Sequence, residues 1–274
     1  MTLTLLVSCA KDEELPVQQG DYAAVSFSPV LDSEITRGFG KGFGDGKTVD
    51  ELIVGVFDED LTEELFRKEY RVADGKTTDA VSLDLLREQT YNIVFWAYCT
   101  DSYYDVEDLT AVKINNETTA LEFGSEKKKI DVMDVFCATK TDFTVTGDAT
   151  EKIVLKRPLA KVNIGTTVDA AEVSSVTASF PVYNEYHPFK AVGEKLGANA
   201  STSNLTFTYT GDFNDKFTVE TKEYTLLGGF YVFADTNTKS VTGSITVSRG
   251  SEVKENNIET PLTVNFQTNI LGSF

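Results

Sequence analysis

The glycine-rich stretch TRGFGKGFGDGK, residues 36–47, has a composition that could serve phosphate binding. A P-loop requires G-x-x-x-x-G-K-[ST], and Gly46-Lys47-Thr48 supplies the end of that pattern. Lys41, however, stands where the first glycine is required. The dinucleotide fingerprint G-x-G-x-x-G also fails from each of the first three glycines of the stretch. The stretch therefore predicts no nucleotide site, and no cofactor is expected.

Arg37 gives the same stretch a different chemistry, that of a protease substrate. Alternating glycines have high backbone entropy and few side chains to pack, so such a segment extends easily into a trypsin-like cleft. The bond between Arg37 and Gly38 is therefore a candidate cleavage site. Taken alone, the stretch is equally compatible with a flexible loop in which Arg37 has no role.

Residue types needed for catalysis and metal binding are scarce. His187 is the one histidine of the chain and lies in the turn-like sequence NEYHPF, and the three cysteines show no zinc-ligand spacing. The acidic clusters at 58–64 and 105–109 lack the spacing of an EF-hand loop. With 43 acidic residues, no single pair of carboxylates identifies a glycosidase site. We therefore expect neither an enzyme nor a metal site.

The charge of the chain bears on its partners. The 274 residues carry a formal net charge of −18, and 41% of them are hydrophobic. The negative field repels phosphate backbones, so nucleic acid is not an expected partner. The length suits one large or two ordinary domains, and the hydrophobic fraction is sufficient for a buried core.

The N-terminus is similar to the end of a bacterial lipoprotein signal peptide. The apolar run MTLTLLVSC is too short to span a bilayer, and it ends in Leu6-Val7-Ser8-Cys9, which resembles a lipobox, although the usual basic region is missing. An acidic stretch follows at once, which makes a chance apolar N-terminus the weaker interpretation. Cys9 is therefore the candidate lipid-attachment residue, and residues 10–22 are expected to form an acidic tether.

The remaining sequence predicts a mainly β protein with two tandem sandwiches. AAVSFSPVL alternates, with Val25, Phe27 and Leu31 on one side, whereas ELIVGVFDED and TYNIVFWAYC are apolar throughout and predict central strands buried on both faces. VDELI and SLDLLREQ are expected to form short helical turns. We place the domain boundary near residue 150, in the polar stretch VTGDATEK.

The second half of the chain repeats the order of the first. LAKVNIGTTV corresponds to AAVSFSPVL, VSSVTASFPVYN to ELIVGVFDED, and YTLLGGFYVFAD to YNIVFWAYCT. The chain thus divides into part of a signal peptide (1–9), the tether (10–22), an N-terminal sandwich (23–150) and a C-terminal sandwich (151–274). Cys99 and Cys137 could form a disulfide in an oxidising envelope, or could be separate core residues.

The last segment carries an apolar stripe at every second position. The members of this stripe are Leu262, Val264, Phe266, Ile270 and Phe274. A strand with such a stripe fills a hydrophobic groove, either in its own domain or in a neighbouring molecule. Both occupancies remain open at this point.

Several segments together resemble the Bacteroidales fimbrillin family, the type V pilins. They are SEITRGFG, DGKTVDELIVGVFDED, YNIVFWA, VMDVFCA, LKRPLAKVNIGT, YVFA and TPLTVNFQTNILGSF. Their order is matched over nearly the whole chain after the tether, and the lipobox strengthens the match. The resemblance implies two transthyretin-like β-sandwich domains.

The resemblance also implies how such a protein matures. The precursor would be exported as a lipoprotein to the outer membrane through Cys9, and an arginine-specific protease would cut between Arg37 and Gly38. Loss of the first strand, 23–37, would open a groove for a strand from another fimbrial subunit. In the family the chain usually continues past the TNILG-like stretch into the donor strand. The donor here is therefore either 261–274, with Leu262, Val264, Phe266 and Ile270 as anchors, or a segment beyond it.

Three classes of function follow. The preferred one is a fimbrial structural subunit on the cell surface that serves adhesion, with accessory subunits and a host or bacterial surface receptor as further partners. The first alternative is a lipid-anchored adhesin or glycan-binding lipoprotein that does not polymerise. The second, an enzyme acting on glycans, is disfavoured by the scarcity of catalytic residue types.

Overall fold

The computed structural model describes residues 21–32, 46–73, 80–114, 121–124, 130–190, 203–237 and 239–274. In these ranges the regular secondary structure is almost entirely β-strand. The strands are, in chain order, β1 Tyr22–Leu31, β2 Glu51–Phe57, β3 Glu64–Arg71, β4 Val81–Leu86, β5 Thr90–Tyr98, β6 Tyr104–Asp105, β7 Val112–Ile114, β8 Leu121–Gly124, β9 Phe136–Thr144, β10 Ala149–Leu155, β11 Leu159–Thr166, β12 Val173–Val182, β13 Glu185–Tyr186, β14 Ser203–Thr210, β15 Lys216–Val219, β16 Lys222–Phe233, β17 Lys239–Arg249, β18 Glu252–Leu262 and β19 Gln267–Gly272.

The first sandwich packs a three-stranded sheet against a four-stranded sheet. Sheet 1 has the order β10-β1-β4 and sheet 2 the order β3-β2-β5-β9. The first core lies between them and contains Phe27 and Leu83 from sheet 1 and Val54 and Phe95 from sheet 2. The mainly β, two-sandwich class predicted from the sequence is confirmed for this half by the two facing sheets.

The second sandwich has the same kind of architecture with more strands. Sheet 3 has the order β15-β16-β11-β19, and sheet 4 has the order β18-β17-β12-β14-β8. The second core between them contains Val162 and Phe230 from sheet 3 and Phe180 and Phe207 from sheet 4. The rings of Phe207 and Phe230 stack with centroids 4.5 Å apart, which joins the two sheets at their centres.

Sheet 2 is buried on both faces, as the apolar runs of β2 and β5 predict. On β5, Phe95 belongs to the first core, whereas the neighbouring Trp96 belongs to the second. Trp96 packs against Tyr104 and Tyr186, with ring centroids 6.0 and 6.1 Å apart, and both tyrosines lie in the small sheet 5 of order β13-β7-β6. The second core therefore extends beneath the first sandwich and joins the two halves.

The two halves also exchange strands. β8, from the first half, pairs in parallel with β14 at the edge of sheet 4. In return β13, from the second half, pairs with β7. β10 runs across residue 150 and pairs with β1, so residues 151–155 belong to the ladder of the first sandwich. The second sandwich begins with β11, after Pro158.

Two local predictions are wrong. VDELI and SLDLLREQ form no helical turns, because they enter the strands β2 and β4. In β4 the residues Val81, Leu83 and Leu85 are buried at every second position, which is the period of a strand. The strand-by-strand repeat also fails. β2 pairs with β5, whereas their expected counterparts β12 and β16 lie in different sheets, and β16 pairs with β11 instead.

A buried ion pair lies where the first sandwich passes into the second. Nε of Arg157 donates to Oδ1 of Asp134 at 2.6 Å and Nη2 donates to Oδ2 at 2.8 Å, and both side chains are fully buried. The guanidinium lies 4.4 Å above the ring of Phe136. Burial raises the pKa of the Asp134 carboxyl, and the hydrogen bonds from Arg157 oppose that shift. The bidentate geometry keeps both groups charged.

We expect Arg157→Ala to lower the free energy of unfolding by about 3–5 kcal/mol, because it leaves the Asp134 charge buried without its partner. The double variant Asp134→Leu/Arg157→Met should recover much of this loss. Urea unfolding followed by Trp96 fluorescence measures both. The matched control is Arg87→Ala at the exposed Arg87–Asp148 pair, where the change should stay below about 1 kcal/mol. Equal losses at the two pairs would contradict this role.

Stability should fall in alkali. Burial raises the pKa of the phenols of Tyr104 and Tyr209 well above the ordinary value, and each hydroxyl donates to a backbone carbonyl. The native protein therefore holds protons that the unfolded chain releases above about pH 10. The stabilisation is complete below that pH and is lost as pH rises toward the native pKa. Each such tyrosine contributes a slope of about −1.4 kcal/mol per pH unit.

Urea unfolding at pH 8, 9, 10 and 11 measures this slope. Tyr209→Phe should make it shallower by the contribution of one tyrosine, whatever the variant does to stability at pH 8. A free energy of unfolding that stays constant from pH 9 to pH 11 would contradict the expectation.

Candidate functional site

β1, the strand that precedes the proposed cleavage site, is deeply packed. Ala23, Val25 and Phe27 have no exposed surface, and Pro29 is also buried. The ring of Phe27 lies 5.2 Å from that of Phe95 and 5.9 Å from that of Phe143. The alternation predicted for AAVSFSPVL is confirmed, with Leu31 half-buried at the end of the stripe.

β1 is also the central strand of sheet 1. It pairs antiparallel with β4 from Tyr22 to Phe27, and in parallel with β10 from Val25 to Leu31. In sheet 1 neither β4 nor β10 has another neighbour than β1. Removing β1 would leave a groove between β4 and β10, with unpaired backbone on both sides and the first core as its floor. We call this space the β1 groove.

The two ends of the segment that follows β1 lie side by side. At the end of the strand, Asp32 N–H donates to the carbonyl of Leu155 at 2.8 Å. The chain is next described at Gly46, whose φ of +73° favours glycine, and a Cβ there would lie 3.7 Å from Leu31 Cδ1. Thr48 Oγ1 then donates to the carbonyl of Asp131 at 2.7 Å. After a cut between residues 33 and 45, these contacts would therefore still hold the part of the chain that leads into β2.

The proposed processing residues fall in ranges whose structure is not described. Arg37 and Gly38 lie between 33 and 45, and Cys9 lies before residue 21, so cleavage and lipid attachment remain predictions. In the described ranges no helix is long and apolar enough to cross a membrane. Nor do those ranges bring together three acidic, cysteine or histidine side chains in an arrangement that could hold a metal ion.

The C-terminal stripe does not form one strand. Leu262 ends β18 in sheet 4 and Ile270 lies in β19 in sheet 3, so the prediction of a single extended strand is wrong for this structure. The chain turns between them at Asn265, with φ of +58°, a conformation that asparagine tolerates. Asn265 N–H donates to the carbonyl of Leu159 at 2.7 Å, and Lys161 N–H donates to that of Phe266 at 3.0 Å.

The four anchors proposed in this segment differ in burial. Leu262 and Ile270 are 6% and 7% exposed, Val264 is half-buried, and Phe266 is 43% exposed. Val264 N–H also donates to the carbonyl of Asp235 at 2.8 Å. The turn thus holds the stripe folded between the two sheets of the second sandwich, and leaves one large aromatic side chain in solvent.

The other candidate side chains have structural roles. His187 Nδ1 lies 3.0 Å from the carbonyl oxygen of Thr110, and its Nε2 lies 3.0 Å from Oε1 of Glu185. Asp58 accepts hydrogen bonds from Thr62 within the β2–β3 turn, which lowers the pKa of its carboxyl. Cys99 and Cys137 are buried and are not joined by a disulfide.

Sequence reasoning missed the charged residues at the junction of the sandwiches. Besides the Asp134–Arg157 pair, Lys161 Nζ donates to Oδ1 of Asp131 at 3.0 Å, although Lys161 is only 2% exposed. Tyr231 donates to the same carboxylate at 3.3 Å. The signal was available in VMDVFCA and LKRPLAK, since charged residues inside apolar runs require buried partners. Two of the segments that carry the family resemblance therefore meet here.

The fold is similar to that of solved structures from Bacteroides. One, a proposed polysaccharide-binding protein (DUF1812) from Bacteroides thetaiotaomicron, is 14% identical, with 86% of this chain and 80% of that chain covered and a TM-score of 0.53. A proposed adhesin from Bacteroides ovatus is also 14% identical, with 86% and 77% covered and a TM-score of 0.53. A second proposed adhesin, from Bacteroides thetaiotaomicron, is 14% identical, with 88% of this chain and 81% of that chain covered and a TM-score of 0.52.

These likenesses establish the fold. A comparison with curated proteins finds none that matches the sequence. The model of a family of unknown function, DUF6562, matches residues 17–274. The chain therefore belongs to the DUF6562 family.

Proposed function

We propose that this protein is the precursor of a fimbrial structural subunit that polymerises by donor-strand exchange and serves adhesion. The observation that carries the proposal is the position of β1. It is central in its sheet, it carries a buried stripe, and it precedes the Arg37–Gly38 bond. The shared fold with proposed adhesins supports a role at the cell surface.

In this proposal, cleavage after Arg37 frees β1 from the rest of the chain. The strand is then held only by its two ladders and its buried side chains. Burial of a large apolar side chain such as Val25 or Phe27 contributes about 1.5–3 kcal/mol, so the empty β1 groove is a strong template for a replacement strand. The strand of a neighbouring subunit restores both the ladders and the buried surface.

The C-terminal segment 261–274 is the donor that we propose. Leu262, Val264, Phe266 and Ile270 share one parity over nine residues, and the stripe of β1 from Ala23 to Leu31 has the same length. Thr268 occupies the one alternate position of this stripe that is not apolar, between Phe266 and Ile270. Donation requires the turn at Asn265 to open, so that β18 and β19 give up their separate sheets and the segment becomes one extended strand.

Exchange replaces one set of contacts by another. The segment gives up the backbone hydrogen bonds around the turn, the parallel ladder of β19 with β11 and the buried positions of Leu262 and Ile270, and the left-handed conformation of Asn265 is released. In the groove it gains a ladder on each side, with β4 and β10, and it brings the exposed Phe266 into the first core. A strand with two ladders has no free edge, so the joint is resistant to dissociation.

The proposal includes the route to the surface. Cys9 carries the lipid that holds the precursor on the outer membrane, and an arginine-specific protease acts there. The partners of the mature protein are other copies of itself, accessory fimbrial subunits and a surface receptor on a host or bacterial cell. The protein has no catalytic role in this proposal.

We expect Arg37→Ala to leave an intact, monomeric, lipid-anchored precursor. The wild-type precursor, treated with an arginine-specific protease, should lose the residues up to Arg37 and then form an SDS-resistant ladder. Lys41→Ala is the matched control, because it changes the same glycine-rich stretch and should process normally. A ladder from the Arg37→Ala precursor would contradict maturation at this bond. Clean cleavage of the wild type without any polymer would favour a lipid-anchored adhesin instead.

Phe266→Asp should separate the donor role from the folding role. Because Phe266 is 43% exposed, the change should alter the free energy of unfolding of the monomer by no more than about 0.5 kcal/mol. It should still block the polymer, since the charge would have to enter the first core of the next subunit. Leu65→Asp is the matched control, because Leu65 on β3 is 44% exposed and lies outside both β1 and the proposed donor segment. Polymer formed equally by both variants would exclude 261–274 as the donor.

A further inference from the structure

Phe274 differs from the other members of the C-terminal stripe, because the β1 groove has no place for it. The proposed anchors from Leu262 to Ile270 span nine residues, and Phe274 lies four residues past Ile270. The ladders of β1 with β4 and β10 lie between Tyr22 and Leu31. With the anchors seated there, Phe274 lies beyond the end of these ladders in either direction of the strand. Its burial therefore stabilises the folded segment and not the exchanged one.

In the monomer, Phe274 is held in the second sandwich. It is 8% exposed and belongs to the second core. Its ring folds back over Gly272, where a Cβ would lie 2.9 Å from Cζ of Phe274, so the glycine leaves room for the ring. Lys254 Nζ on β18 also donates to the carbonyl of Ser273 at 3.1 Å. These contacts tie the chain beyond β19 to sheet 4, whereas β19 itself belongs to sheet 3.

β19 depends on these contacts because it is an edge strand. It pairs with β11 alone, in parallel, from Gln267 to Gly272. A cavity of about 350 Å³ borders Phe274, and Val247 and Val253 line it as well. Phe274 therefore lies at the rim of the second core, beside open space, and can leave its site without passing through the core.

We propose that Phe274 is the lock that keeps the donor segment in its own subunit, an inference that rests on the proposed donor role of 261–274. While Phe274 is buried, β19 stays paired with β11 and the stripe remains folded. When Phe274 leaves the second core, only one ladder holds β19, and the segment opens. An extended apolar strand pairs with other free sheet edges, so the lock also limits unwanted association before a groove is empty. Phe274 thus sets the population of the open segment, and with it the rate of donation.

The uncleaved precursor allows the lock to be measured by itself, because β1 still fills the groove. In the wild type, the β19 amides should exchange their hydrogens by local opening, faster than the amides of β5, which is an inner strand of sheet 2. Phe274→Ala should speed the exchange of the β19 amides by about tenfold or more, since the closed form loses its buried ring. Phe274→Leu keeps much of the buried surface and should fall between the two.

Phe213→Ala is the matched control. Phe213 is 6% exposed, belongs to the same core and lies between β14 and β15. Its loss should lower the stability of the whole protein and speed the exchange of β5. It should leave the β19 amides at the wild-type rate, because local opening of β19 does not expose this site. Equal acceleration of β19 by Phe274→Ala and Phe213→Ala would overturn the lock.

Polymer formation is the second test. After an arginine-specific protease frees β1, Phe274→Ala should form the SDS-resistant ladder about tenfold or more faster than the wild type. Gly272→Ala should act in the same direction, because its methyl group displaces the ring of Phe274. Polymer formed at the wild-type rate by both variants would exclude the lock and leave the donor proposal standing. No polymer from the cleaved wild type would instead contradict the proposed function, and the lock with it.

Discussion

The insertion of β1 between β4 and β10 is the interaction on which the first sandwich depends. Sheet 1 has only these three strands, and its two outer strands are paired through the central one. The side chains of Val25 and Phe27 fill the first core from that position. One strand at the start of the chain thus supplies both the ladder and much of the packing of a whole sheet, which makes it replaceable only by another strand of similar pattern.

The second core packs against the other face of sheet 2 and contains no residue of β1. Trp96 and its tyrosine neighbours lie on the face of sheet 2 that points away from sheet 1, and the Asp134–Arg157 pair holds the passage between the halves. The exchanged strands β8 and β13 add further ties. A subunit with an empty β1 groove would still have sheet 2 packed against the second core. It could therefore remain folded until a new strand binds.

Much of the fold could be predicted from patterns within single strands. The apolar runs of β2 and β5 indicated burial on both faces, and the alternation around Phe27 indicated a half-buried strand. Pairings between distant strands, such as β1 with β10, leave no local pattern, and the repeat inferred from strand order failed for that reason. Asn265 shows another limit, because the stripe continues through it while backbone hydrogen bonds to β11 turn the chain.

The separate positions of the groove and the proposed donor have a consequence for any larger assembly. The β1 groove lies in sheet 1, whereas the proposed donor segment comes from the second sandwich, so each joint would connect two different surfaces. Every joint between subunits would then have the same orientation, and a filament built from them would be polar. One end would present a groove and the other an unused donor strand. Growth and capping at the two ends would therefore need different molecules, one that lacks a donor strand and one that lacks a groove.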